Sequence, residues 1–383
     1  MPVHATHDMF PGALHDEQAR QDFVRMFKLQ VQGVFGPGNR VLYEKKVKPN
    51  FERATQRSPK LRSEVRRAMA VEPYNKMWSA LLRTSQEMLY ESVGPSVERQ
   101  LPALQGRAKA YVGRRGTVEL DPVLKIPSYH AAVNIHCKPG GYHSELHVED
   151  DIFAGAEYDR TVHMYLMGAM GPNNDDFGRS AARWLQRNHR DMTVDRVLDL
   201  GCTIGHSTLA WCDEYPDAKI HAIDVAAPCL RYAHARAEAM DKTVHFHQMN
   251  AEHTAFEPGS FDVVVSHIMM HETSTKALPR IYKECFRLLR PGGIMMHLDA
   301  RFVGDNIYDQ YQQEWDAHFN NEPFFGTLCD IDLVAAARDA GFGQDRILES
   351  YIPSHYKPRG GLEAPINDAM KGDYFMLSAT RQR

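Results

Sequence analysis

Long apolar runs are missing from this chain of 383 residues. No stretch approaches the roughly 18–20 consecutive apolar residues that a membrane-spanning helix needs. A basic start with an apolar stretch behind it is missing too, since the chain opens MPVHATHDMFPGALHDEQ. These absences predict a cytoplasmic protein with no membrane partner. Cysteine is sparse, and the six present (Cys137, Cys202, Cys212, Cys229, Cys285, Cys329) form no CxxC pair. That excludes a disulfide framework or a zinc knuckle and leaves reduced thiols. What remains is a globular composition, 43% hydrophobic and 25% charged, in a chain long enough for two domains.

Charge is unevenly placed. Residues 1–120 hold 20 Lys and Arg against 12 Asp and Glu, and the remainder holds 25 against 37. The basic residues are spread along helix-like segments such as SPKLRSEVRRAM, which describes a solvated face or half of a domain interface. With no recognised binding motif and no aromatic–basic alternation, nucleic acid is not the expected partner.

Residues 15–120 read mainly as helix. HDEQARQDFVRMFKLQVQGVF is broken by GPGN, and YNKMWSALLRTSQEMLYESV is stopped at Gly94–Pro95. YHAAVNIHCKPGGYHSELHVEDD then predicts a strand, a turn and a second extended piece, before EYDRTVHMYLMGAMG and SAARWLQRNH return to helix. The second half alternates. Strands are expected at 196–201, 219–225, 244–250, 261–268 and 293–300, with helices HSTLAWCDEY, APCLRYAHARAEAM and ALPRIYKECFRLLR between them. Apolar strands alternating with helices predict a parallel sheet covered on both faces. A helical insertion, NIYDQYQQEWDAHFNN, and the helix DIDLVAAARDAGF follow, with strand-like RILESYI and DYFMLSATR at the end.

VLDLGCTIGHST, at 197–208, is a glycine turn where a parallel sheet binds its ligand. A P-loop needs GxxxxGK[ST], but His206 and Ser207 follow Gly205. A dinucleotide turn wants GxGxxG, which glycines four apart match poorly. S-adenosylmethionine (SAM) carries a sulfonium cation and an amino-acid end, so Asp199 at the strand end suits it, and the glycines let the backbone lie close. Asp224, closing the second strand, can accept from both ribose hydroxyls, although that feature alone would also fit NAD.

Taken together, VLDLGCTIG, IHAIDV, QMNAEH, FDVVVSHIMMHE and LLRPGG resemble the ordered motifs of class I SAM-dependent methyltransferases, in the group that includes quinone-biosynthesis and small-molecule enzymes. The likeness covers roughly residues 155–300. It implies a Rossmann-like, doubly wound, mostly parallel seven-stranded α/β sheet over 155–383, with a helical lid at about 301–330. Residues 1–154 would then be a mainly helical addition serving as substrate cover or homodimer interface. It further implies that Asp199, Gly201 and Gly205 contact the methionine moiety. Asp224 would hold the ribose, Val225 flank the adenine, Asn250 and Ala251 read its edge, and His267 lie beside the cofactor. Two departures stand out: Thr203-Ile204 in the turn, and Asn250 where Asp is commoner. The asparagine oxygen can still accept from the adenine amino group. The stretch EYDRTVHMYLMGAMG, at 157–171, resembles the family's cap helix, which implies Tyr158 or Tyr165 reaching the SAM carboxylate or sulfonium; a packing tyrosine is the alternative.

Methyl transfer depends on alignment, and a base is needed only for a protonated acceptor. His271, beside Glu272, is the favoured base; His297, alternating with Asp299, is a second candidate or a hydrogen-bonded core residue. The stretch 130–151 concentrates His130, His136, Cys137, His143, His147, Glu149, Asp150 and Asp151. It lacks a known metal-ligand spacing, so no metal is assigned, and His147 is read as an acceptor contact bordering the cleft. In the insertion, Tyr308, Tyr311, Trp315 and His318 stand at helical spacing, with Tyr311 and Trp315 as substrate-stacking candidates and core or dimer packing as the alternative. The reading is methylation of a small-molecule metabolite at an O, N or C acceptor. Its rivals are an RNA or protein methyltransferase using the basic N-terminal part, and a SAM-binding protein that transfers no methyl group.

Overall fold

The computed structural model describes residues 4–300, 306–356 and 373–382. The chain opens with helix α1 (His15–Gln30), whose Glu17 carboxylate reaches back to the Leu14 N–H at 2.7 Å and satisfies a free donor of the first turn. GPGN does not break it. The helical path continues through a π-turn at Val31–Phe35, α2 (Gly36–Leu42), a second π-turn at Tyr43–Val47 and α3 (Lys48–Thr55). Pro37 and Pro49 stand in the first turns of α2 and α3, where a missing N–H is tolerated, and the π-turns absorb the change of register.

After α4 (Arg62–Met69) comes α5 (Pro73–Tyr111), which passes through Gly94–Pro95 and Pro102 instead of stopping. An internal proline costs about 3 kcal/mol. Leu89, Val93, Val97, Leu101 and Leu104 along the same stretch are all at most 5% exposed. Full burial of each such side chain contributes roughly 1.5–3 kcal/mol, so packing overrides the local signal.

The short strand β1 (Thr117–Glu119) follows. Over 121–152 the expected strand pair is replaced by turns, α6 (Ser128–Ala131) and a tight 3-10 turn at Ile135–Cys137. His136 and Cys137 (φ 56° and 59°) and then Gly140 and Gly141 (φ 74° and 64°) take left-handed conformations, which an extended strand cannot contain. Helices α7 (Phe153–Tyr165) and α8 (Asp176–Asn188) lead into the sheet.

The alternation then runs β2 (Arg196–Leu200), α9 (His206–Glu214), β3 (Lys219–Asp224), α10 (Ala227–Ala239), β4 (His245–Gln248), β5 (Phe261–His267), α11 (Leu278–Leu288) and β6 (Leu289–Asp299). Next come α12 (Ile307–Phe319), α13 (Phe325–Leu328), α14 (Leu333–Ala340), β7 (Ile347–Pro353) and β8 (Asp373–Thr380). The sheet has eight strands in the order β1-β4-β3-β2-β5-β6-β8-β7, not seven. The extra member is β1, paired parallel to β4, so the sheet crosses the boundary expected at 154. β8 alone runs antiparallel to both its neighbours. The central strands β2, β5 and β6 are largely buried on both faces because helices cover both.

Of the expected lid, residues 301–305 lie outside the described residues. α12 packs against α4 and α5, burying Tyr308 and Tyr311 with Tyr43, Val47, Val65 and Met69. Arg62 ties it further, through Glu314 at 3.2 Å. No helix of the described residues is long and apolar enough to cross a membrane.

Candidate active site

The parallel strands all deliver their carboxyl ends to one edge of the sheet, and the glycine turn after β2 lies there. Gly201 and Gly205 take φ of 68° and 79°. A Cβ on Gly201 would stand 2.8 Å from Met269 Cγ, so this position admits no side chain. Thr203 is also left-handed at φ 50°, a conformation costing about 1–2 kcal/mol outside glycine. Its N–H donates to Asp224 Oδ2 at 2.8 Å, while Ala226 N–H donates to Oδ1 at 2.9 Å. Asp224 therefore pins the turn to the end of β3. Asp199 is buried under the turn, accepting from Thr208 Oγ1 at 2.6 Å and His267 Nδ1 at 3.2 Å.

A cavity of about 320 Å³ opens beside this turn. On one side it is lined by Asp199, Gly201, Thr203, His206 and His267, with Tyr158 over them; on the other by Trp78, Leu82, Leu89 and Tyr90 of α5. α7 adds Tyr165, and α12 adds Gln312, Gln313 and Asp316. The N-terminal helices thus form a wall of the same chamber.

Its charged groups are coupled. His271 is buried, with Nδ1 2.5 Å from Asp299 Oδ1 and its own N–H on Oδ2 at 3.2 Å. Burial opposes charge on the ring, but Asp299 and Glu272 outweigh it and hold His271 well above an ordinary histidine. His136 meets Glu272 and Glu322 at 3.2 Å each, and its Nδ1 is 2.6 Å from the Tyr142 hydroxyl. Burial again opposes its charge, yet the two carboxylates raise it to about 10. One histidine from residues 120–152 therefore joins the loop after β5 to the segment after α12.

Several expected site residues are placed elsewhere. His297 is fully buried, with Nδ1 2.6 Å from Ser266 Oγ, Nε2 3.8 Å from Cys285 Sγ and its ring on Tyr282. Burial lowers it to about 3, which makes it a neutral core residue and not a base. Asp299, its neighbour on β6, serves His271 instead. His147 stacks on Phe153 and pairs with Asp151 at 3.4 Å, away from the cavity. Tyr311 donates to Asn75 Oδ1 at 2.7 Å, and Trp315 Nε1 donates to Ser79 Oγ at 2.8 Å. Both are packing residues, because α12 turns its aromatic stripe to the N-terminal helices and its polar face to the chamber. Asp224, Val225, Asn250 and Ala251 gather at the ends of β3 and β4, outside the cavity lining. Asn250 Oδ1 accepts the Glu252 N–H at 2.9 Å, and like each Asp224 oxygen it keeps a second lone pair.

The sequence reading missed His136 as a junction, together with Trp78, Gln313, Asp316 and Glu322. Only His136 carried a signal, lying in the histidine-rich stretch. Among the described residues no cluster of three or more His, Cys, Asp or Glu is arranged to hold a metal ion.

The donor set fits SAM. The turn exposes backbone where a Cβ is excluded at Gly201, the aromatic faces of Tyr158 and Tyr142 line the chamber, and Asp199 stands at its floor. Aromatic faces and a carboxylate are what a sulfonium cation favours.

Comparison with known proteins agrees. The family described as methyltransferase domain matches residues 197–293. A demethylmenaquinone methyltransferase of Lactococcus lactis is 32% identical over 141 residues, covering 36% of this chain and 54% of that protein. An uncharacterized protein of Haemophilus influenzae is 28% identical over 131 residues, covering 34% of this chain and 52% of its own. The chain thus spans about half the length of these relatives. Among solved structures, the YcgJ protein of Bacillus subtilis aligns with a TM-score of 0.38 at 17% identity, over 53% of this chain and 99% of that one. The strand order and glycine turn described above agree with the match of residues 197–293 to the methyltransferase-domain family.

Proposed function

We propose that the chain transfers the methyl group of SAM to a small, apolar or aromatic metabolite held in the chamber between the glycine turn and α5. The observation that carries this is a single cavity lined by the glycine turn with Asp199, by the His271–Asp299 pair and by the aromatic wall of α5. When bound, SAM supplies an electrophilic methyl on sulfonium. The chain's own residues do the rest. Asp199, Gly201 and Gly205 receive the amino-acid end, and Asp224, Val225, Asn250 and Ala251 form the nucleoside side. The walls exclude water and align the acceptor, which is where most of the rate for an in-line displacement arises. In its neutral form, populated only above the ordinary histidine range, His271 takes the acceptor's proton at Nε2, with Asp299 fixing the ring and stabilising the imidazolium formed. The helices of 1–154 act as substrate cover, supported by Trp78, Leu82 and Tyr90 in the lining.

The deciding experiment incubates the protein with methyl-labelled SAM and a fractionated cell extract. The expected result is S-adenosylhomocysteine together with label in a small molecule. Label in RNA or protein would replace the acceptor class, and tight SAM binding with no S-adenosylhomocysteine would overturn methyl transfer.

A further inference from the structure

At its α12 end the chamber carries polar groups that neither the cofactor nor the His271–Asp299 pair uses. Trp78 is 2% exposed and lines the cavity, yet its Nε1–H has no hydrogen-bond partner. Gln313, on the cavity face of α12, has a buried Oε1 that likewise lacks a partner. Asp316 follows one helical turn later on the same face. The other carboxylates of the lining are committed: Asp199 to His267 and Thr208, Asp299 to His271, Glu322 to His136 and Asn320. Among the described residues the Asp316 carboxylate accepts no hydrogen bond, and Lys28 is the cation whose charge acts on it. Burial, then Glu322, raises its carboxyl to about 6, so it is mostly ionised at neutral pH. Lys28 lies in the wall behind, with Nζ donating to Gln86 Oε1 at 2.6 Å and 5.1 Å from the centre of the Tyr165 ring. Burial lowers Lys28 to about 8, while the charge of Asp316 supports its ammonium. Gly36 borders this end, and a Cβ there would stand in ordinary contact with Gln312 Nε2 at 3.7 Å and Trp78 Nε1 at 3.9 Å, so only a larger side chain would crowd it.

A buried, unpaired donor and acceptor each cost free energy unless a ligand completes them. We infer that this end is a recognition subsite for the methyl acceptor, and that the acceptor carries an amine there. The protonated amine donates to Asp316 and to Gln313 Oε1, and Trp78 Nε1–H donates to an oxygen beside it. The rest of the acceptor is apolar, matching Leu82 and Leu89. This rests on the methyltransferase reading and narrows its substrate class; the methylated atom lies elsewhere on the molecule, towards the glycine turn.

The test measures binding of three probes sharing a phenylethyl skeleton to the full chain at pH 7.5, with S-adenosylhomocysteine present: 2-phenylethylamine, 2-phenylethanol and 3-phenylpropionate. The amine should bind about tenfold more tightly than the alcohol, the scale of one charge-assisted hydrogen bond, and the acid most weakly. Asp316→Asn should abolish that preference without changing the alcohol's affinity, and unaltered SAM affinity shows the variant is folded. Gly36→Val should weaken all three probes. Equal binding of the three, or an amine preference that survives in Asp316→Asn, would overturn the subsite. Amine preference in a protein that binds no SAM would support the subsite and remove the methyltransferase reading beneath it.

Discussion

Replacing Asp299 with asparagine isolates what the carboxylate does to His271. In the native protein Asp299 Oδ1 is 2.5 Å from His271 Nδ1 and also accepts the Ala300 N–H at 2.6 Å, while Oδ2 takes the His271 N–H. Asparagine keeps the shape and removes the charge. A hydrogen bond to a charged group is worth about 1.5–3 kcal/mol, and one pKa unit about 1.4 kcal/mol. His271 should therefore titrate about one to two units lower in the variant. The assay is histidine NMR on labelled protein, comparing the two titrations and needing no substrate. Once the acceptor is known, kcat/KM gives a second readout. A base must be neutral to act, so the native activity should rise with pH along a limb above about 6.5, and that limb should shift down in Asp299→Asn. The plateau should fall by about 10²-fold, the lower end of general-base contributions, because the imidazolium loses its counter-ion. Stability moves oppositely to activity. Folding raises His271 above its unfolded value near 6.5, so the pair's contribution is full below that pH and is lost as pH rises through the folded value. Native His271 titrating at or below about 6.5, or not moving in the variant, refutes the pairing.

Asp224→Ala removes both the expected ribose acceptor and the clamp on Thr203, and should weaken SAM binding by tenfold or more in equilibrium dialysis. Unchanged affinity would place the nucleoside elsewhere. Asp159→Ala deletes the acceptor for His7, His206 and Tyr232 at 3.0, 2.9 and 2.8 Å and leaves Arg236 buried without its counter-ion. The expected loss is about 3–5 kcal/mol in denaturant unfolding, and a loss under 1 kcal/mol would show the cluster to be of little weight. Gly178→Ala puts a Cβ 2.1 Å from the Ser207 carbonyl oxygen, forcing α8 away from α9 at a cost of about 1–3 kcal/mol. A melting temperature within a degree of native would contradict that packing.

The sheet was legible because its strands are buried on both faces and so read as unbroken apolar runs; FDVVVSH and GIMMHLD can hardly be anything else in an alternating chain. The N-terminal helices were not legible at their boundaries. Gly94, Pro95 and Pro102 are local signals to stop, and what keeps α5 going is burial against α1, α7 and α10, which no window of sequence contains. The same division runs through the site. The glycine turn is a local device: its conformation follows from Gly201 and Gly205, and its ligand class from the absence of a phosphate-binding lysine. Ion pairing is not local. Asp299 stands two residues from His297 and was read with it, yet its partner is His271, 28 residues away across two strand ends. His136 meets Glu322 from 186 positions along the chain. In α12 the spacing correctly foretold an amphipathic helix, but periodicity says which residues share a face and not which face meets the ligand. The aromatic face found Tyr43 and Met69, and Gln312, Gln313 and Asp316 were left to line the chamber. The glycine-turn side of the chamber is therefore written largely in contiguous residues, while the opposite side is assembled from α5, α7, α12 and the loop after β5. Residues that give an acceptor site its selectivity are for that reason to be sought where distant segments converge, and Asp316 is the position at which this chain tests the rule.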